Sequence, residues 1–430
     1  MKAKNDTAKV AMARLPYGQK SLHLKVPRGK GIKILAPKRT RPIADPQSYA
    51  SEKISNFLDE NKSFFLGYES RKVCVVVSDN TRFAFNHVII PILLKELTDV
   101  GIRRENITIL AATGLHAPMS HDDLLENLGG GVVDNFKVEN HDPNGELVWL
   151  GRTKRGTPLF ISKHFMEADL KIATGLVAPH FHAGFGGGCK SILPGISGRN
   201  TILKNHSFDM IAHDRARCGV LDGNPVYEDI MEAGLKSGLN LIVNAAVDSD
   251  KNMTHLFIGE PQTTHRKAAQ EVAQDMKVEF DRLFDIILTT NGGYPLDRNL
   301  YQCVKGVVVG ELMVKQGGTI VLASECTDGV GHGTFQKYMS YGRAPHDVLD
   351  KLRKDEPVDD QDNIQILARA LTRANVIIVT GGVKPEIVRQ MKMQHAPSVE
   401  EALRTCGWPE DKELRIALVP GGPYVLPVRA

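Results

Sequence analysis

Short runs of apolar and β-branched residues recur along this chain, and each is followed by glycine or polar residues and then by helical periodicity. Runs of this length, bounded by turn residues, are typical of buried strands in parallel sheets. Alternating strand and helix predicts an α/β fold, two α/β domains with mainly parallel sheets covered by helices. The predicted strands lie at residues 73–77, 107–110, 170–173, 241–243, 286–288, 320–322 and 376–379.

The domain boundary is predicted from length and charge. A chain of 430 residues is long for one hydrophobic core and suits two domains. Residues 271–282 form a charged, helix-like stretch before the strand that opens a second α/β unit. We therefore expect residues 1–275 to form the first domain and residues 283–405 a smaller second one, with the active site in the cleft between them. The last apolar run, within 412–430, could return to either domain.

Chemically active residues follow the ends of the predicted strands. Ligands bind beyond the carboxyl ends of the strands in open parallel sheets, so these positions are the first candidates for a site. They are Asp79, Arg82, His116, His180, residues 291–295, Glu325 and Asp328.

Composition narrows the classes of function. Hydrophobic residues at 42% and charged residues at 24% are ordinary for a globular protein. A net charge of +4 without a concentrated basic stripe predicts no nucleic-acid partner, and the absence of a long apolar run predicts no membrane span. The six cysteines are far apart, with no CxxC pair, and are expected to be reduced thiols. With no signal-peptide-like segment, we expect a cytoplasmic protein.

Residues 184–190 form a glycine-rich segment that ends in Lys190, here called the glycine loop. Backbone N–H groups of such a loop can approach a phosphate. The loop misses the Walker A pattern because Cys189 stands where that pattern has glycine. Phosphate binding, by an enzyme or by a non-catalytic nucleotide-binding protein, and a flexible surface turn both remain open. Lys190 could be a counter-charge, a covalent attachment point or a solvated lysine.

Five histidines, each able to act as a metal ligand or a general base, fall in one part of the chain: His116, His121, His180, His182 and His206. No HExxH motif is present, and the spacing of His180 and His182 disfavours a helical zinc site. A zinc-dependent hydrolase built from His116, His180 and His206 remains an alternative.

Two further segments offer groups suited to a carboxylate. Arg82 could bind one bidentately, and Lys305 offers a compact charge beside Gln302. The alternatives are a local ion pair between Asp79 and Arg82, and a solvated helix face for Gln302 and Lys305.

Taken together, these segments resemble the nickel-dependent lactate racemase family, which includes racemases and epimerases of other 2-hydroxy acids. Any single segment is weak, but six in the same order over most of the chain are a specific signal. They are Ser-Asp-Asn-Thr-Arg at 78–82, Ala-Thr-Gly-Leu-His at 112–116, residues 179–196, Asn-His-Ser at 205–207, residues 290–297 and residues 301–306.

The resemblance implies a racemase or epimerase of a small 2-hydroxy acid. It implies proton-coupled hydride transfer to a nickel pincer nucleotide cofactor, which separate cofactor-biosynthesis enzymes would supply. It also implies these roles: His116 and His180 as catalytic residues; Asp79, Arg82, Tyr301, Gln302 and Lys305 as substrate-binding residues; Gly186, Gly187, Gly188 and Lys190 as cofactor-binding residues, with Lys190 the tether; and His206 as the nickel ligand.

Three positions depart from the family pattern. Cys189 stands where the family has arginine, Phe83 where it has proline, and residues 361–363 where it has a tryptophan. Phe83 and Phe85 suggest a substrate with an aromatic or larger side chain, whereas Asp362 and Asn363 suit a polyhydroxylated acid. Lactate, an aryl acid and a sugar acid therefore all remain possible substrates.

Overall fold

The computed structural model describes residues 10–27, 32–38, 40–65, 67–68, 71–411 and 413–430. The chain divides into two compact units. The first unit comprises the described residues between 40 and 275, and the second comprises the described residues from 276 to 430 together with those between 10 and 38.

Most strands are short. In chain order they are β1 Val10–Tyr17, β2 Lys20–Pro27, β3 Ile32–Ile34, β4 Val73–Ser78, β5 Ile107–Ala112, β6 Lys137–Asn140, β7 Leu147–Arg152, β8 Pro158–Ser162, β9 Leu170–Leu176, β10 Pro179–His180, β11 Gly184–Phe185, β12 Leu241–Val247, β13 Met253–Gly259, β14 Lys277–Phe280, β15 Phe284–Thr290, β16 Val314–Ala323, β17 Asn375–Val379, β18 Gln394–Ala396, β19 Ile416–Val419 and β20 Leu426–Arg429.

The helices alternate with the sheet strands. They are α1 Pro46–Glu60, α2 Lys62–Phe65, α3 Asn86–Asp99, α4 His121–Leu128, α5 Gly130–Val133, α6 Lys163–Met166, α7 Arg199–Asn205, α8 Phe208–Ala212, α9 Pro225–Lys236, α10 Pro261–Met276, α11 Leu300–Glu311, α12 Gly333–Met339, α13 Pro345–Lys354, α14 Gln361–Arg373, α15 Pro385–Gln390 and α16 Val399–Thr405.

The first unit is built on a six-stranded sheet with the order β13-β12-β9-β4-β5-β6. All pairings are parallel except that of β13 with β12. Strand β4 reads Val-Cys-Val-Val-Val-Ser and is buried along nearly its whole length, as expected for a central strand covered on both faces. This arrangement brings the carboxyl ends of β9, β4 and β5 to one edge.

The second unit is built on another six-stranded sheet, with the order β18-β17-β16-β15-β19-β3 and parallel pairing throughout. The antiparallel pair β1–β2 belongs to the same core, where Leu15 and Leu24 pack with Leu288, Val321 and Leu403. Apolar burial of this kind is the main favourable contribution to the stability of the unit.

The predicted α/β fold with mainly parallel sheets is confirmed, and each predicted strand coincides with an observed one. The assignment of residues 1–275 to a single domain needs correction. Residues 32–34 pair with 416–418, so the described N-terminal segment and the last strands both belong to the second unit. The stretch 271–282 also differs from the expected helix, because α10 ends at Met276 and β14 follows.

Within the described residues, no helix has both the length and the apolar character needed to cross a lipid bilayer. All six cysteines lie in the described part of the chain and are free thiols.

Candidate active site

Three of the predicted site residues lie at the carboxyl edge of the first sheet. Asp79 follows β4, His116 follows β5, and His180 ends the short strand β10 that comes after β9. Because β9, β4 and β5 are adjacent and parallel, the turns that follow them share one edge. The structure thus places these residues where a parallel sheet binds its ligands.

Asp79 and His116 form a hydrogen-bonded pair, in which Nδ1 of His116 lies 2.6 Å from Oδ2 of Asp79. The other oxygen, Oδ1, accepts hydrogen bonds from the backbone N–H of Thr81 at 3.2 Å and from its hydroxyl at 2.6 Å. Asp79 is buried, whereas the side chain of His116 keeps 28% of its surface exposed. The carboxylate is therefore held by the protein, and the imidazole remains accessible.

Burial by itself raises the pKa of the Asp79 carboxyl, but the charge of His116, its hydrogen bond and the charge of Arg82 outweigh that effect and hold the pKa below its usual range. Asp79 is consequently ionised at neutral pH and can only accept hydrogen bonds. It follows that the proton between the two side chains resides on Nδ1 of His116.

Arg82 lies in the same turn, and its backbone N–H donates to the carbonyl of Asp79 at 3.2 Å. Its guanidinium donates to the hydroxyl of Thr81 at 2.9 Å and to the carbonyl of Thr81 at 3.2 Å. Both bonds use the same nitrogen of the guanidinium, Nη1, and they orient the group. The N–H groups on the other two nitrogens are suited to binding an anion.

A compact group of histidines surrounds the turn between β10 and β11. The ring centroids of His180 and His182 lie 4.5 Å apart, and those of His182 and His206 lie 4.9 Å apart. His182 is completely buried, and its carbonyl accepts a hydrogen bond from Asn224 at 2.8 Å. His206 follows the last residue of α7. Three imidazoles are thus brought together by β10 and α7, two elements well separated in sequence.

The backbone N–H of Ala183 lies 3.4 Å from Nδ1 of His180 and donates toward it. An N–H group can only be a donor, so Nδ1 is the acceptor and the neutral tautomer carries its proton on Nε2. Nδ1 therefore acts as the donor in His116 and as the acceptor in His180.

The glycine loop packs tightly against the sheet. Gly187 has φ +77°, and a Cβ there would lie 2.8 Å from Oδ1 of Asn244 and 2.9 Å from Val177. A Cβ on Gly188 would lie 2.6 Å from the ring of His265. The glycines are required because neighbouring side chains approach the backbone closely.

Two of the three candidate glycine amides of this loop already have partners within the protein. The N–H of Gly186 donates to the carbonyl of Ala178 at 2.8 Å, and that of Gly188 donates to Asn244 at 2.7 Å. Both donors are used within the protein. These contacts fix the shape of the loop, and the loop in turn fixes the position of Lys190 in a short 3₁₀ helix at residues 188–191.

Cys189 faces away from this chemistry. Its Sγ lies 3.6 Å from the sulfur of Met231 on α9, and a Cβ on Gly234 would clash with that Sγ. Burial raises the pKa of the thiol to about 12, so it is neutral. Cys189 is a packing residue between the loop and α9.

In the second unit, Tyr301, Gln302 and Lys305 all lie in the first turns of α11. The ammonium of Lys305 donates to Oε1 of Gln302 at 2.5 Å. Buried Asn291 fixes the start of this helix, because its amide donates to the carbonyl of Gln302 at 3.1 Å and accepts from the N–H of Gly306 at 3.0 Å. Gln302 and Lys305 form one polar group rather than two unrelated side chains of a solvated face.

Sequence reasoning missed several supporting residues. His265 binds the carbonyl of Gly186 through Nε2 at 2.9 Å, and Asn224 caps α9 while holding His182. Asn244 holds the amide of Gly188. Only Asn224 had a signal in the sequence, since asparagine directly before proline is typical of a helix start.

Comparison with known proteins identifies the family of both parts of the chain. Residues 17–219 match the lactate racemase N-terminal domain family, and residues 281–426 match the lactate racemase C-terminal domain family. A lactate racemase from Thermoanaerobacterium thermosaccharolyticum is 34% identical over 97% of this chain and 99% of its own length. A lactate racemase from Lactiplantibacillus plantarum is 33% identical over 87% of this chain and 89% of its own.

Solved structures give the same result. The lactate racemase apoprotein from Thermoanaerobacterium thermosaccharolyticum superposes with a TM-score of 0.87, covering 97% of this chain and all of that chain. A protein from Thermotoga maritima, 18% identical, shares the fold with a TM-score of 0.69, covering 91% of this chain and all of its own. From the two matched domains and the identity along nearly its whole length, the chain belongs to the lactate racemase family of isomerases.

Proposed function

We propose that this protein inverts the configuration at C2 of a 2-hydroxy acid, as a racemase or an epimerase. The observation that carries the proposal is the pair formed by buried, ionised Asp79 and Nδ1 of His116, which orients the partly exposed imidazole for proton transfer. The relatives named as lactate racemases support the same substrate class.

The two histidines suit inversion because one of them can act on each enantiomer. His116 takes the proton from the C2 hydroxyl of one enantiomer and becomes an imidazolium. When the other enantiomer forms, His180, as an imidazolium, gives a proton to the C2 oxygen and becomes neutral. In the reverse direction the roles exchange. Two groups are needed because the two enantiomers direct their hydroxyls differently.

Substrate binding is assigned to polar residues of each unit. Arg82 binds the carboxylate of the acid, with Asp79 in the same polar turn. In the second unit, Tyr301, Gln302 and Lys305 contribute hydrogen bonds and a positive charge, which stabilise the carbonyl oxygen of a planar 2-oxo acid.

The residues of the first unit fit a nickel-bearing cofactor. His182 and His206 place two imidazoles side by side, and imidazole is a ligand that nickel accepts. We propose His206 as the nickel ligand, Lys190 as the tether and the glycine loop as the element that fixes Lys190. When bound, a nickel pincer nucleotide supplies a hydride acceptor, which avoids forming a carbanion beside the carboxylate.

The catalytic assignment is tested with holoenzyme produced together with the cofactor-making enzymes. Loss of optical activity is followed for lactate, aryl lactates and sugar acids. His116→Asn and His180→Asn should each lower kcat by about 100-fold or more, while His121→Asn, at an exposed position of α4, should not. A holoenzyme that racemises no acid of the panel would overturn the proposal.

The cofactor assignment has readouts that do not depend on activity. Mass spectrometry of the peptide containing Lys190 should show an added mass in holoenzyme and none in Lys190→Ala. Nickel measured by elemental analysis should be lost in His206→Ala and kept in His121→Ala. Nickel retained in the His206 variant would contradict the ligand assignment.

The zinc hydrolase with His116, His180 and His206, and the non-catalytic nucleotide-binding protein, are not favoured by family membership. A zinc hydrolase would regain hydrolytic activity when zinc alone is added. A nucleotide-binding protein would bind a nucleotide and convert no substrate. Both outcomes are visible in the same preparations.

A further inference from the structure

Tyr301 is held in an aromatic cluster of the second unit. The ring of His332 stacks on it with centroids 3.9 Å apart and planes inclined by 5°. Phe335, fully buried in α12, contacts the same ring edge-on at a centroid distance of 5.6 Å. Tyr301 itself is buried. Rings in close parallel stacking lose the freedom to rotate about χ1 and χ2, so the position of Tyr301 is determined by its neighbours.

His332 is in turn fixed by Asp360. Nδ1 of His332 lies 2.8 Å from Oδ1 of Asp360, and the carboxylate is only 9% exposed. Asp360 has φ +64°, a left-handed conformation at the residue before α14. This conformation is uncommon outside glycine, and aspartate is one of the residues that adopt it most readily. Here it carries the carboxylate that orients the imidazole.

The stack lies beside the polar group of α11. Tyr301 and Lys305 are four residues apart and therefore occupy the same helix face, and Lys305 is bonded to Gln302. One face of α11 thus combines a fixed aromatic ring with an ammonium and an amide. The ring therefore lies on the same helix face as the polar pair that is proposed to bind the acid.

We propose that His332 and Asp360 are positioning residues that hold Tyr301 and thereby set which C2 substituent α11 accepts. The proposal rests on the proposed function for its substrate class, but its structural part concerns the second unit alone. His332 does not touch the reacting atoms. It acts through the position of the Tyr301 ring, so its removal should change KM and substrate preference more than kcat.

The structural part is tested on apoprotein labelled with 3-fluorotyrosine, in which Tyr301→Phe identifies the fluorine signal of Tyr301. His332→Ala should move that signal toward its position in the unfolded protein. His332→Phe, which keeps a ring in the stack, should restore much of the native shift. His346→Ala, at an exposed position of α13, is the matched control and should leave the signal unchanged. If His332→Ala does not fold, Asp360→Asn serves the same purpose and should broaden the signal.

The functional part is measured on holoenzyme with 2-hydroxy acids of increasing size. For the preferred acid, His332→Ala should raise KM by about 3- to 10-fold, the contribution expected of one aromatic pair. For larger acids KM should rise less, so the difference in KM between the preferred acid and larger acids should become smaller. The KM of His332→Phe should lie closer to the wild-type value than that of His332→Ala. The control His346→Ala should have the wild-type KM.

The outcomes are separable. An unchanged fluorine signal in His332→Ala overturns the positioning role. A changed signal with unchanged KM and preference overturns the role in substrate selection. If wild-type holoenzyme converts none of the acids, the proposed function fails, and the fluorine measurement still decides whether His332 holds Tyr301.

Discussion

Nδ1 of His116 lies 2.6 Å from Oδ2 of Asp79, and Asp79 is buried while His116 is not. The arrangement fixes the tautomer and the orientation of the imidazole at once, since an ionised carboxylate accepts only from a protonated nitrogen. A buried acid with a depressed pKa beside an accessible base is the type of perturbation found at catalytic sites.

Replacing Asp79 by asparagine should lower kcat of the holoenzyme by about 100-fold, because the amide can donate to Nδ1 and so favours the wrong tautomer. Steady-state kinetics with the preferred acid measures the effect. Asp99→Asn removes a carboxylate that pairs with Lys95 on the exposed face of α3 and should have no effect. A kcat close to wild type in Asp79→Asn would show that Asp79 does not orient His116.

The same carboxyl should appear in the pH dependence of stability. Its pKa in the folded protein is below the value of about 3.9 in an unfolded chain, so its contribution is fully present above that pH. The contribution is lost as the pH falls from about 4 through the folded pKa. Chemical unfolding of apoprotein at several pH values should therefore show wild type losing its advantage over Asp79→Asn below about pH 4. Parallel curves for the two proteins would contradict this.

The close packing of the glycine loop predicts a difference between two glycines with similar backbone conformation. Gly187 has φ +77°, with Asn244 and Val177 within 3 Å of the position that a Cβ would take, whereas Gly151 has φ +86° and open space. Gly187→Ala should cost about 1–3 kcal/mol more than Gly151→Ala, because only the former adds a steric clash to the backbone strain. Denaturant unfolding of both apoproteins measures the difference, and equal losses would argue against the tight loop.

Cys189 should behave as a core residue. Cys189→Arg should destabilise the apoprotein by at least about 3 kcal/mol, since a guanidinium would be buried between the loop and α9 without a partner. Cys189→Ala should cost about 1 kcal/mol. Thermal unfolding of the three proteins tests this. A stable Cys189→Arg protein would mean that the side chain can turn out of this packing, and that position 189 is free to influence substrate choice.

Much of the fold was predictable because strands of a parallel sheet are continuous apolar runs. Residues 73–77 and 286–288 became β4 and β15, central strands whose burial on both faces requires such runs. The assignment of the N-terminal segment was not predictable. Pairing of residues 32–34 with 416–418 joins positions nearly 400 residues apart in sequence, and local pattern carries no information about such partners.

The candidate site also contains residues that the sequence could predict and residues that it could not. Asp79, His116 and His180 were recognisable because they directly follow strands whose carboxyl ends share an edge. Asn244 and His265 were not, because their roles come from contacts with a distant segment, the glycine loop. A histidine or an asparagine in a helix or strand has the same local pattern whether or not it supports a site.

The sequence by itself determined the alternation of strand and helix, the residues at the strand ends and the family, since these depend on local order along the chain. Tertiary structure alone decided that Asp79 pairs with His116, that the amides of Gly186 and Gly188 are used internally, and that Cys189 faces α9. These are matters of distance and burial, which are decided only when the chain is folded.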